Sequence, residues 1–393
     1  MADADTARAV AVTSGPKMHF FGYYDVTPWD ATDRYMLGLE VDFQDRPPTP
    51  EDVATIGLID TAEANRWQPI AQTRAWNWQM GTRLQWLPTE PDRLIIHNDR
   101  RDGRFVAVVR DAFTGTEEAV LPRPVYALKP DGTEAVSLNF ARVARTRPGY
   151  GYVGVPDPTE GVLCPDDDGI WWMDLRTGEN ELIITLAQAA AIDHRSDMDD
   201  AEHWFNHLLW SPDGSRFIFL HRWKPPGARS WFTRMLTARP DGTDVCLLAD
   251  DDMVSHFDWR DPEHILAWAR VAGVGDYYFI FRDCAPTGAA GKPQIVGRDV
   301  LTCDGHCSYS PDRQWILTDT YADAEHKRTL LLFHERDERR IDIGRFYSPP
   351  ELAGEIRCDL HPRWSRAGTK VCIDSAHTGV RQIYALDVAD VVS

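Results

Sequence analysis

The sequence predicts an all-β chain: a seven-bladed β-propeller of four-stranded antiparallel blades, its ring closed by an N-terminal strand. Three observations predict it. His207, His256, His306 and His361 recur at intervals of 49, 50 and 55 residues, each followed three residues later by an aromatic residue. In each string a Ser/Arg/Pro/Asp turn then leads into a new apolar strand, and a period of roughly 40 to 60 residues is that of propeller blades. The last unit shows three strands and needs a fourth, which the early stretch Ala7-Arg-Ala-Val-Ala-Val-Thr13 can supply, removing an exposed edge.

The clearest units lie in the second half. Asn206-His-Leu-Leu-Trp-Ser-Pro-Asp-Gly214 precedes Phe217 to Leu220, and Ser255-His-Phe-Asp-Trp-Arg-Asp261 precedes Ile265 to Ala269. Gly305-His-Cys-Ser-Tyr-Ser-Pro-Asp312 precedes Trp315 to Thr318, and Leu360-His-Pro-Arg-Trp-Ser365 precedes Val371 to Ile373. Weaker copies begin at Tyr24-Asp-Val-Thr-Pro-Trp-Asp30, Thr82-Arg-Leu-Gln-Trp-Leu-Pro88 and Leu138-Asn-Phe-Ala-Arg142, where the histidine slot holds Asp25, Arg83 and Asn139. The blades so aligned span 18–70, 76–121, 125–187, 203–249, 253–297, 303–346 and 357–390. One helical insertion is expected near 186–200, where Leu186-Ala-Gln-Ala-Ala-Ala-Ile192 runs into an acidic segment.

A ring grows by adding blades, so the 393 residues read as one domain, 1–393. Hydrophobic residues at 43% are ample for a core, and fifteen Trp suit both sheet packing and carbohydrate contact. A net charge of −19 argues against nucleic acid or an anionic membrane as partner, because no basic field exists to displace counterions. No apolar run approaches about 18 residues, and Met-Ala-Asp-Ala-Asp-Thr-Ala-Arg lacks the apolar core of a secretion signal, so the chain as given is expected in the cytoplasm. Seven cysteines without framework spacing fit reduced thiols.

Two constellations carry chemistry. Four histidines in equivalent blade positions converge near one end of the central channel, where His207, His256, His306 and His361 can share one cation. Neutral imidazoles suit a divalent metal such as Zn or Mn and disfavour Ca or Mg. The alternative is that each histidine bonds a neighbouring blade's backbone; His203 is a substitute ligand. The second group lies in blades two and three. His97 ends an apolar strand, Tyr126 begins the next blade, and Arg142, Arg145, Arg147 and Tyr150 follow. Asn77, Trp78 and Gln79 offer amide and stacking contacts, with Trp76, Trp171 and Trp172 as further platforms. In an acidic protein these arginines can neutralise a carboxylate on a sugar; alternatively they pair with acids on solvated loops.

The blade-initial histidines, the Ser-His-Phe-Asp-Trp and Leu-His-Pro-Arg-Trp-Ser strings and the closing Asp374-Ser-Ala-His-Thr-Gly-Val-Arg-Gln-Ile-Tyr-Ala-Leu resemble the seven-bladed propeller polysaccharide lyases. The likeness to oligogalacturonate lyase is clearest over 203–390; His97 with the Tyr126 and Arg142 spacing is more similar to the ulvan lyases. The resemblance implies β-elimination on a uronate-containing oligosaccharide. The carboxylate must be neutralised, the C5 proton removed and the departing C4 oxygen stabilised. It casts Arg142 and Asn77 as carboxylate ligands and His97 and Tyr126 as base and acid, in an order the residues leave open. Trp78, Arg145 and Tyr150 complete the binding set. Asp359 stands where the oligogalacturonate type has the first member of a His-x-His pair. Two other classes remain open: a glycoside hydrolase on the same propeller, with Asp99 and Asp25 as available acids, and a non-catalytic propeller serving as a protein-binding platform.

Overall fold

Seven four-stranded antiparallel sheets make up the computed structural model, which describes residues 8–284 and 292–392. Blade 1 runs from Met18–Phe20 to Arg66–Thr73, blade 2 from Gln85–Trp86 to Glu117–Leu121, and blade 3 from Ala127–Leu128 to Asn180–Thr185. Blades 4, 5 and 6 start at Glu202–Trp210, Val254–Asp261 and Ser308–Tyr309 and end at Cys246–Ala249, Gln294–Val296 and Arg339–Tyr347. Blade 7 takes Arg363–Trp364, Lys370–Ser375 and Gln382–Asp387 from the C-terminal end of the chain. Its outermost strand is Ala9–Ala11, paired antiparallel with Gln382–Asp387. The N-terminal strand therefore closes the ring; Ala7 lies outside the described residues.

Each blade is covered on both faces by its neighbours, so the middle strands are apolar on both sides. Phe217–Lys224 is buried at seven consecutive positions, the pattern of a strand with no solvated face. In blades 2, 4 and 5 the tryptophan three residues after the slot joins one blade to the last, its indole N–H reaching a backbone carbonyl of the preceding blade. Trp86 donates to the Pro28 carbonyl at 2.8 Å, Trp210 to Ala127 at 3.1 Å and Trp259 to Leu209 at 3.2 Å. The spacing follows because three residues along a strand carry the chain from the site face to the level of this bond. Ser-Pro-Asp turns then reverse the chain: Ser211 and Ser310 donate to Asp213 and Asp312 at 2.7 and 2.6 Å, an arrangement that favours the turn locally.

Three expectations are corrected. Asn139 is not the slot of blade 3; its side chain caps the helix Phe140–Thr146, accepting from the amides of Ala141 and Arg142. The inner strand of that blade is Ala127–Leu128, so Tyr126 stands beside the slot. The insertion is a short helix, Leu186–Ala191, begun by a Thr185/Gln188 capping box, and Ser196–Met198 is a separate helical turn. Finally, Cys246 and Cys284 form a disulfide with Cα atoms 6.0 Å apart, while Cys164, Cys303, Cys307, Cys358 and Cys372 are free. Among the described residues no helix is long and apolar enough to cross a membrane.

Candidate active site

The inner strands begin on one face of the ring, and there the backbone turns side chains toward the axis. His207, His361 and Arg83 take left-handed conformations, with φ of 51°, 42° and 50°. Such conformations cost about 1–3 kcal/mol each and persist where surrounding packing dictates them. The axis itself is filled from blade 1. Gly22, at φ 133°, passes so close to the next blade that a Cβ would lie 2.8 Å from the Met80 carbonyl carbon. Only glycine fits there, and Tyr23 is thereby delivered to the centre.

The four histidines surround the ring of Tyr23. His207 stacks on it at 4.8 Å with planes 6° apart, and His361, His306 and His256 follow at 4.9, 6.0 and 6.4 Å. Their partners differ. His207 has Tyr126 Oη 3.0 Å from Nδ1 and Tyr23 Oη 3.3 Å from Nε2, so both ring nitrogens are satisfied by phenols. Burial, with Arg222 nearby, holds its pKa well below the usual histidine value.

His306 and His361 instead form a buried cluster with Asp359, whose ligand atoms lie within 4.8 Å of one another. The Nε2 atoms of both histidines are buried without a hydrogen-bond partner among the described residues. Burial by itself would raise the Asp359 pKa, but Arg357 and Arg328 hold it well below the carboxylate range. Their nitrogens approach its oxygens at 2.6 and 2.8 Å without hydrogen-bond alignment, so both carboxylate oxygens keep acceptor capacity. Asp319 takes His306 Nδ1 at 2.8 Å, the outer contact that presents Nε2 to a metal. Two imidazole nitrogens and a carboxylate in this arrangement fit a divalent cation.

His256 lies beside this cluster, its ring 4.2 Å from that of His306. Its Nδ1 is held by Asp304 at 2.9 Å and Ser255 at 3.2 Å, so a neutral ring leaves Nε2 as the acceptor. Burial lowers its pKa, against the opposing pull of Asp304. His256 and His207 open onto a pocket of about 470 Å³ that is also lined by Arg147, Arg222, Tyr150 and Trp231. Arg357 donates to Tyr150 Oη at 2.6 Å, which leaves the phenolic proton free to point elsewhere. Arg222 is buried, with Nε and one terminal nitrogen lacking partners among the described residues. Burial, then Arg147, lower its pKa to about 10, still charged at neutral pH.

Several residues read from the sequence stand elsewhere. His97 is fully buried on a middle strand of blade 2; its Nδ1 bonds the Asn98 carbonyl at 3.0 Å, its Nε2 has no partner among the described residues, and burial lowers its pKa to about 4. It meets neither Tyr126 nor Arg142, because the strand does not end there but runs on to Arg101, which leaves His97 in mid-strand inside the sheet stack. Arg142 is fully buried as a loop clasp, donating to the carbonyls of His203, Thr159, Val162 and Leu163. Arg145 is paired with Asp157 and Glu202. Asn77 spends its amide on Gly151 and on the backbone of Gln79 and Met80, and Trp78 is buried with its indole bonded to the Arg46 carbonyl. His203 bonds His221 and the Met198 carbonyl, away from the cluster. Tyr126 and Tyr150 do reach the site. Tyr23, Arg222, Asp304 and Arg357 join it without having stood out in the sequence; Asp304 lies two residues before a slot histidine, whereas Arg222 on a second strand carries no local signal.

No protein-family model and no curated protein matches the chain. Solved structures do. The oligogalacturonate lyase of Vibrio parahaemolyticus superposes with TM-score 0.66 at 15% identity, over 99% of this chain and 96% of that one. An oligogalacturonate lyase in complex with manganese gives 0.68 at 16%, over 96% and 92%. The tricorn protease gives 0.52 at 11%, over 96% of this chain and 34% of that one, so the architecture is also used by non-lyases. The chain thus has the seven-bladed propeller fold of the oligogalacturonate lyases.

Proposed function

We propose that the protein is a lyase that cleaves a uronate-containing oligosaccharide by β-elimination in the pocket above the axis. The observation that carries this reading is a pair of guanidinium groups, Arg147 and Arg222, with no carboxylate partner among the described residues. They line the same pocket as a histidine oriented by a carboxylate. In a chain of net charge −19, arginines left unpaired beside a His–Asp dyad suit an anionic substrate.

Arg222 faces the carboxylate of the reacting uronate and offsets the negative charge that develops there as C5 loses its proton. His256 Nε2 takes that proton, and Asp304 stabilises the imidazolium that results. The C4–O4 bond breaks, and O4 leaves with the proton of Tyr150, whose oxygen is supported by Arg357. A C4–C5 double bond conjugated to the carboxylate remains, which absorbs in the ultraviolet. His306, Asp359 and His361 would hold Zn or Mn, which when bound supplies further positive charge for the substrate carboxylate. An imported short oligosaccharide in the cytoplasm is the substrate form we favour, with galacturonate and ulvan-type uronates as the two candidates.

The test is ultraviolet absorbance at the unsaturated uronate band, with galacturonate and ulvan oligosaccharides and metal-loaded protein. Growth of that band on at least one of them is expected; its absence on all defeats the lyase reading. Metal content provides a separate check. The native protein should bind one equivalent of Zn or Mn, His361→Ala should lose it, and His207→Ala should keep it because His207 is engaged by the two phenols. Loss of metal in His207→Ala and retention in His361→Ala would reverse that assignment.

A further inference from the structure

We infer that the far end of the axial channel is a second ligand site, built for phosphate or a phosphate monoester and closed off from the pocket of the slot histidines. It goes beyond the lyase reading and does not depend on it. In each blade the slot residue stands at the site face, and the turn after the inner strand lies at the opposite mouth. There a pocket of about 400 Å³ is lined by Pro130, Pro212, Arg313 and Arg366 from the turns of blades 3, 4, 6 and 7. One strand shows the separation. On Val254–Asp261, His256 faces the histidine pocket and Asp258, two residues on, lines the far one. Tyr24 is pinned between them at Phe257: its hydroxyl donates to the Phe257 carbonyl and accepts from the Phe257 amide, both at 3.0 Å.

The floor of this pocket is self-contained. Arg83 pairs with Asp25 through both terminal nitrogens, at 2.8 and 3.0 Å, and the oxygens of Asp258 take the amides of Trp259 and Tyr309 at 2.8 and 2.7 Å. The rim arginines differ. Each is anchored through one nitrogen to a backbone carbonyl of a neighbouring blade, Arg313 to Trp259 at 2.9 Å and Arg366 to Trp29 at 3.2 Å. Among the described residues the terminal nitrogens of Arg366 have no hydrogen bond or ion pair, and Arg313 has only Asp258, 3.8 Å away. Asp33, the acid beside Arg366, takes the backbone amides of Arg366 and Ala367 instead. The two turns pack together, since a Cβ on Gly368 in one would come 3.0 Å from Pro311 in the other. A carbonyl anchor positions a guanidinium without neutralising it. With Arg83, Arg313 and Arg366 set against Asp25 and Asp258, the pocket stays net positive in a chain of net charge −19. A carboxylate presents one planar edge, enough for one guanidinium fork, whereas a tetrahedral oxyanion presents edges to two.

The test is calorimetric binding at constant ionic strength with inorganic phosphate, glucose 6-phosphate and malonate, thermal unfolding being recorded for every variant. Saturable phosphate binding by the native protein should persist in Arg222→Gln, which removes a cation of the histidine pocket, and in Arg176→Gln, an exposed arginine on a turn of blade 3. Arg313→Gln and Arg366→Gln should each weaken it by roughly tenfold, the loss of one charge-assisted contact, and the double variant should abolish it. Tighter binding of glucose 6-phosphate than of inorganic phosphate identifies an ester as the occupant, the reverse identifies the free ion, and equal affinity shows that the phosphate group alone is recognised. Malonate should bind roughly tenfold more weakly than the better of the two. The inference is overturned if native protein shows no saturable phosphate binding, if binding is unchanged in folded Arg313→Gln and Arg366→Gln, if it is lost in Arg222→Gln or falls equally in Arg176→Gln, or if malonate binds as tightly as either phosphate. Elimination is not the readout, so failure of the lyase reading leaves the result standing.

Discussion

His256→Ala is expected to lower kcat by about 10²- to 10⁴-fold, the usual worth of a positioned general base, while leaving the fold intact. The reason is geometric. His256 combines a carboxylate on Nδ1 with an Nε2 that has no partner among the described residues and opens on the pocket. Asp304→Asn should reproduce part of the loss, because an amide can hold the ring but cannot stabilise the imidazolium. The pH profile tests the same assignment. Burial lowers the His256 pKa below its ordinary value, so the base is already neutral at pH 7 and kcat/KM should be flat there. The acid limb should appear only below about pH 6.5, the unperturbed histidine value. An acid limb centred above pH 7, or a His256→Ala variant within threefold of native kcat, would remove His256 from the role of base.

Asp374→Ala is expected to cost about 3–5 kcal/mol of stability, the loss typical when one member of a buried ion pair is deleted. Asp374 and Arg363 are both fully buried, 2.9 Å apart, at the seam where blade 7 meets blade 1. Asp374 also accepts from the amides of Phe21 and Gly22, and Arg363 donates to the Gly22 carbonyl at 2.7 Å. Removing the carboxylate strands a cation and two amide donors beside the residue that carries Tyr23 to the axis. Urea denaturation gives the magnitude. The double variant Asp374→Ala/Arg363→Ala should lose less than the two single losses combined, because the stranded charge is gone. A single-variant loss under about 1 kcal/mol would mean that the seam is held mainly by the Ala9–Ala11 strand.

The positions of Tyr126 and Tyr150 in the candidate site were legible because each stands next to a blade start or follows the blade-3 helix into the pocket. His97 and Arg142 lie away from this pocket for a common reason. Both are polar residues flanking apolar runs, and a polar residue buried in a sheet stack has the same local sequence as one on a loop at the rim. The backbone carbonyls that bind Arg142 come from Thr159 to Leu163 and from His203, segments whose proximity no spacing announces. Arg222 was hidden because its neighbours on the strand, His221 and Trp223, are core residues; only the tertiary structure brings it to the lining of a pocket.

By itself the sequence determined the ring: its seven units, the phase of those other than blade 3, the tryptophans that staple blades 2, 4 and 5 to the blades before them, and the N-terminal strand that closes it. Those features are periodic, and a period is local information repeated. What only the tertiary structure decided is how the four slot histidines divide. His306 and His361 join Asp359, His256 turns to Asp304, and His207 is taken up by Tyr23 and Tyr126. Equivalent positions in the repeat receive different partners because the groups facing them come from other blades, across the axis, where each blade's sequence is free to differ.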